Sequence, residues 1–166
     1  GALPHATLSD ARVGDSTFIL IDWGACGELY VSDLTRVLVT GRIQPKLQRI
    51  YEVVLKSQKA AIDAIRPGAV LKDVDAAARR VIEKAGYGKR FSHALGHGIG
   101  LEIHESPRLA SNQDRQLRAG MVITVEPGIY LPNWGGVRIE DDILVTRSGR
   151  EVLSSVPKEF GDCVLS

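Results

Sequence analysis

Apolar positions along the chain follow two periodicities. "STFILIDWGA" is a continuous apolar, β-branched run and "RVLVTG" has the same character, so both read as buried strands, with "CGELYVSD" between them as a turn into the second. In "QPKLQRIYEVVLKSQKAAIDAIRPG", Leu47, Ile50, Tyr51, Val54, Leu55, Ile62 and Ile65 recur close to the helical period of about 3.6 residues. Pro45 suits a first helical turn, and Pro67-Gly68 stops the pattern. "LKDVDAAARRVIEKAG" predicts a second helix, with Leu71, Val74, Ala78, Val81, Ile82 and Ala85 on one side and Gly86 as its C-terminal cap. A stretch rich in glycine and histidine follows. After it, "AGMVITVEPGIYLP" and "GGVRIEDDILVTRSGREVL" read as strands separated by Gly and Pro turns. Strands, two helices, then strands predict an α+β domain, an antiparallel sheet with helices on one face. The domain is read over residues 1–166, without an internal repeat, low-complexity stretch or linker.

Composition narrows the classes. A chain of 166 residues, 44% hydrophobic and 25% charged, can bury a sizeable core. Its net charge of +1 gives no general attraction to nucleic acid or to an acidic membrane, so neither is expected as a partner. No apolar run approaches the roughly 20 residues of a membrane helix. Two cysteines, Cys26 and Cys163, make no disulfide framework and point to a reducing, cytoplasmic setting. The opening "GALPHATLSDARVGD" has neither a basic start nor an apolar signal core, and Met121 is the only methionine. The chain is therefore read as a fragment or a processed product.

The chemistry concentrates in "HALGHGIGLEIHES", which holds three of the four histidines, His93, His97 and His104. Histidine serves as a metal ligand or as a proton carrier near neutral pH. Gly96, Gly98 and Gly100 mark backbone that bends or comes close to something. The stretch alone leaves open a metal site, a phosphate loop or a packed core. A phosphate loop needs a helix after it and usually a lysine, whereas "LEIHESPRL" follows. HExxH zinc chemistry needs a helical spacing that His97 and His104, seven apart, do not have. Four acids supply a partner set. Asp22 ends the apolar "FILID", and Asp33 follows eleven residues later in "SDLTR". That odd separation puts them on opposite faces of one straight strand, but a turn at residues 24–27 would bring both to one place. Glu126 ends "MVITV" before Pro127-Gly128, and Glu140 sits within "VRIEDDILV". Bare carboxylates are costly at such positions unless paired or coordinated, and carboxylate with imidazole suits manganese, cobalt, iron or zinc. Each residue alone has a plainer role. Asp22 could cap a turn, and Asp33 could be a turn residue or a partner for Arg36. Glu126 could end a solvated strand, Glu140 could lie on the surface beside Asp141 and Asp142, and His97 could pack in the core. Five donors in similar contexts favour a shared site.

The blocks "IDWGACGELYVSDLTR", "GHGIGLEIHESP", "VITVEPGIYLP" and "GVRIEDDILVT", in this order, resemble the dinuclear metallopeptidases of the pita-bread fold. More closely they resemble the Xaa-Pro peptidases, aminopeptidase P and prolidase, from "PHA" to "VLS". The resemblance implies two divalent ions, manganese first and cobalt or zinc as alternatives. Asp22, Asp33 and Glu140 would hold or bridge both ions, with His97 and Glu126 completing the separate shells. It implies substrate contacts from His5, His93, His104 and Arg138, the arginine being oriented by acids behind it. Catalytic roles fall to His93, His104 and Glu126. The implied reaction is hydrolysis of the bond before proline, in a proline-containing peptide, by a hydroxide that bridges the metals. The glycines are read as clearing a path for substrate to His97. Methionine aminopeptidases share "GHGIG" and "HE.P", but "EPGIY" followed by "VRIEDD" is the Xaa-Pro style. A non-catalytic binding module of this fold would be expected to lose ligands, and all five are present. Val37 stands where the family commonly has threonine. The family also carries another αβ portion and an N-terminal domain before "PHA". The resemblance thus implies a catalytic portion incomplete at its N-terminus, with reduced or no activity alone. It also implies a homo-oligomer, or a second chain that supplies the first part.

Overall fold

The computed structural model describes residues 2–4, 10, 12–13 and 15–165. β1 (Phe18–Trp23) pairs antiparallel with β4 (Leu34–Val39), setting Asp22 opposite Thr35. Between them β2 (Cys26–Gly27) and β3 (Tyr30–Val31) form a small hairpin. Its reversal lies at Glu28 and Leu29, with φ of 51° and 70°, the left-handed pair that a two-residue hairpin turn requires. The turn expected across residues 24–27 is thus shifted. Gly24 instead meets the returning chain, since a Cβ there would lie 2.2 Å from the Ser32 carbonyl oxygen. β1 is also less buried than its apolar run predicts. Phe18 and Leu20 pack against the core, while Ile21 and Trp23 are exposed.

The helices fall where the periodicity placed them, α1 over Pro45–Ala64 and α2 over Leu71–Lys84. Leu47, Ile50, Tyr51, Val54, Leu55 and Ile62 of α1 are buried, as are Leu71, Val74, Ala78 and Ile82 of α2. Pro45 opens α1, and Gly86, at φ 85°, closes α2 by donating its N–H to the Glu83 carbonyl. The Ser57 hydroxyl donates to the Ala78 carbonyl at 2.9 Å and ties the two helices together.

The remaining strands are β5 (Gly96–Gly98), β6 (Glu105–Leu109), β7 (Val122–Val125), β8 (Gly128–Leu131), β9 (Gly135–Arg138), β10 (Asp141–Val145) and β11 (Arg150–Val152). Five of them form an antiparallel sheet in the order β11-β10-β7-β5-β6, and β8 and β9 form a hairpin. α1 lies against β7, β8 and β9, and α2 against β6. The α+β expectation, helices on an antiparallel sheet, therefore holds. β5 and β6 carry no strand-like alternation because glycines and Pro107 occupy them. The glycines have a packing cause: a Cβ at residue 96 would lie 2.0 Å from the Thr124 carbonyl oxygen, and one at residue 98 would lie 2.4 Å from that of Ser106. Neighbouring strands close on β5 from both sides, which gives these two glycines a packing role. Among the described residues no helix is long and apolar enough to cross a membrane.

Replacing Ile82, which has no exposed surface, with alanine is expected to cost about 2–5 kcal/mol. Lys56→Ala, on the exposed side of α1, should stay within about 0.5 kcal/mol. Urea unfolding of both variants checks the pair, and equal midpoints would place Ile82 outside the cooperative core.

Candidate metal centre

Four of the five candidate ligands lie at or beside strand ends, and His97 lies within a short strand. Asp22 is the penultimate residue of β1 and Asp33 immediately precedes β4. His97 is central in β5, Glu126 follows β7, and Glu140 precedes β10. All five line one cavity of about 630 Å³, together with His93, His104 and Arg138. The fold brings three of them closest. Donor atoms of Asp33, His97 and Glu140 lie within 4.8 Å of one another. His97 Nε2 is 3.8 Å from Asp33 Oδ2 and 3.5 Å from Glu126 Oε1. Asp22 stands outside this trio and pairs with Arg138 Nη2. Its side chain is 44% exposed, so the burial cost expected for it does not apply.

The ring of His97 has a defined tautomer. Its Nδ1 lies 3.0 Å from the Gly98 carbonyl oxygen, which can only accept, so Nδ1 carries the proton. The Nε2 lone pair then faces the carboxylates, the arrangement that a metal-binding histidine uses. Burial lowers the His97 pKa and keeps the ring neutral.

The acids show the opposite shift. Burial, first, and the neighbouring Asp33 and Asp22 push Glu126 up to about 8, against the pull of Arg138. Glu140, 2% exposed, is raised well above the carboxylate range by burial and then by Glu126 and Asp33. Asp33 is raised by burial and by Asp22. Three carboxylates that disfavour their own charge, beside an imidazole nitrogen held as acceptor, fit a divalent cation that prefers oxygen and nitrogen donors.

Arg138 links the two sides of the cavity. Its Nε donates to Thr35 Oγ1 at 3.0 Å, and its Nη1 donates to the Tyr130 hydroxyl and the Pro4 carbonyl, both at 3.1 Å. One carboxylate, two hydroxyls and a carbonyl orient it, rather than the acids alone. The Thr35 hydroxyl in turn donates a hydrogen bond to Glu140 Oε2 at 2.6 Å. The Tyr130 hydroxyl lies 3.0 Å from His93 Nε2, while His93 Nδ1 donates to the Ala94 carbonyl at 2.7 Å. Tyr130 and Thr35 were not identified from sequence. The available signals were the tyrosine four residues after Glu126 and the threonine two after Asp33, in the same strand face. His104 is exposed at the cavity, its ring centroid 4.4 Å from that of His97. His5 lies outside the described residues.

Comparison with known proteins identifies the family. The profile of metallopeptidase family M24 matches residues 1–147. The Xaa-Pro dipeptidase of Pyrococcus horikoshii is 48% identical over 159 residues, which is 96% of this chain and 45% of that protein. The structure of the Xaa-Pro dipeptidase from Bacillus anthracis superposes with a TM-score of 0.93 at 46% identity, covering 99% of this chain and 46% of that one. The X-Pro aminopeptidase from Thermotoga maritima gives a TM-score of 0.93 at 40% identity, with 99% and 46% covered. The chain thus spans about half the length of the relatives it matches, and its fold is the expected pita-bread arrangement. The fold and the match over residues 1–147 agree, and the chain belongs to metallopeptidase family M24.

Proposed function

We propose that this chain is the metal-binding catalytic portion of a peptidase that hydrolyses the bond before proline. The observation that carries this is the convergence of Asp33, His97 and Glu140 within 4.8 Å, with Glu126 and Asp22 lining the same cavity. The similarity to Xaa-Pro dipeptidases supports the choice of substrate over that of a methionine aminopeptidase. Asp22, Asp33, His97, Glu126 and Glu140 would hold two divalent ions, manganese first, cobalt or zinc as alternatives. Such ions lower the pKa of water and polarise a carbonyl oxygen.

The chain's own groups supply the remainder. Glu126, lining the cavity 4.0 Å from Arg138 Nε, is placed to take a proton from the attacking water and carry it to the leaving proline nitrogen. That nitrogen has no hydrogen in the peptide and must gain one to depart. His93, fixed by Tyr130 and Ala94, and exposed His104 bound the cavity where a peptide would lie. Arg138 presents its charge between Asp22 and Glu126. The exposed Ile21 and Trp23 of β1 are apolar surface that further protein would cover, from the same polypeptide or from a second copy in an oligomer. The free thiols of Cys26 and Cys163 support a cytoplasmic setting.

Glu126→Gln is expected to lower turnover of an Xaa-Pro dipeptide by about 10²-fold or more, in any form of the protein that has the activity, with the fold retained. Near-normal turnover would remove the assignment. The acids also set a pH dependence. A carboxyl whose folded pKa lies above its unfolded value stabilises the fold most below the unfolded value, and that contribution is lost as pH rises to the folded one. For Glu126 this window runs from 4.5 to about 8. The chelator-treated chain should therefore melt at a lower temperature at about pH 8 than at about pH 6. Manganese added at the higher pH should raise the melt and release protons into weak buffer. A melt that rises with pH, together with no proton release, would contradict the clustered acids.

A further inference from the structure

Behind the ligands lies a second charged layer that the proposed reaction does not use. Asp141 is fully buried directly after Glu140. Its Oδ1 accepts from Arg36 Nη2 at 2.7 Å, and its Oδ2 accepts from Gln58 Nε2 at 3.0 Å and from Lys158 Nζ. Arg36, 2% exposed, directs its other donors at main-chain carbonyls. Nη1 reaches Glu140 at 2.5 Å and Thr35 at 3.0 Å, Nη2 reaches Val156 at 2.7 Å, and Nε reaches Pro157 at 3.1 Å. Asp142 completes the layer. Its Oδ2 accepts the Asp33 N–H at 3.1 Å, and its own N–H donates to Ser154 Oγ at 2.9 Å. The Leu153 N–H donates to the Asp142 carbonyl. Residues 153–158 thus grip both backbone segments that present Asp33 and Glu140. They lie beyond residue 147, where the family match stops, yet within the stretch that the solved relatives cover.

We infer that the segment 153–158 sets the geometry of the metal centre, with Lys158 as its charged positioning residue, an assignment that rests on the metallopeptidase reading above. Lys158 does not line the cavity and acts through Asp141 and Arg36. With Lys158 in place, Asp141 has two cations and Arg36 can divide its donors between the ligand strands and the tail. Without Lys158, Arg36 is the only cation on a buried carboxylate, and its hold on the Glu140 and Thr35 carbonyls competes with that demand. The Lys158 side chain is 19% exposed, so its ammonium can be removed without emptying the core.

The test is a calorimetric titration of Mn²⁺ into the full 166-residue chain, with a thermal melt in chelator as the record of folding. Lys158→Met should weaken Mn²⁺ binding by about 10- to 100-fold, as loss of a group that orients ligands does. Lys158→Arg should restore most of it. Lys59→Met, which removes an exposed lysine paired with Glu159 of the same tail, should leave affinity unchanged. Lys158→Met with wild-type affinity and only a lowered melt would mark a role in stability alone and overturn the inference. Equal losses in Lys158→Met and Lys59→Met would overturn it too. Should Lys158→Met fail to fold, Ser154→Ala removes the tail's acceptor for Asp142, and its unchanged affinity would also overturn the inference. A folded wild-type chain that binds none of Mn²⁺, Co²⁺ and Zn²⁺ would overturn the reading of these residues as a metal centre, and this inference with it.

Discussion

Burial of several carboxylates close together is the constraint to which the rest of this structure responds. Asp33, Glu126, Glu140, Asp141 and Asp142 gather at the ends of β4, β7 and β10, where little water reaches them. Burial raises Asp33, Glu126, Glu140 and Asp142 alike. Such a cluster survives folding only where protons, cations or hydrogen bonds compensate it.

The molecule divides that compensation between two faces. On the cavity face, Arg138 takes Asp22 and shares hydroxyl partners with Glu140 and His93, while His97 turns an uncharged nitrogen toward the acids. On the far face, Arg36, Gln58 and Lys158 surround Asp141. The cavity side keeps three acids with raised pKa values and no lysine among its lining residues, which is the side a divalent ion suits. The far side is closed by protein cations. Two adjacent residues, Glu140 and Asp141, therefore point into opposite chemistry because successive side chains alternate along extended backbone.

Much of this was legible in residue order. Helical periodicity located α1 and α2 because their buried stripes repeat over several turns. The acids ending apolar runs, Asp22 and Glu126, were visible because charge is unusual there, and the quoted blocks named the family. The strands β5 and β6 were not legible, since glycine and proline have low strand preference and are present because of strands that approach from elsewhere. Tyr130 and Thr35 were hidden for a related reason. A hydroxyl carries no sign of whether it faces an arginine distant in sequence.

By itself, then, the amino-acid order determined the element types, the donor inventory and the family, because these depend on local periodicity and on the chemistry of individual side chains. Tertiary structure alone decided that Asp22 pairs with Arg138 while Asp33, His97 and Glu140 close together, that the glycines accommodate neighbouring strands, and that the tail backs the ligand strands through Arg36 and Asp141. Each of those depends on contacts between residues up to about 120 positions apart, which local sequence pattern does not set.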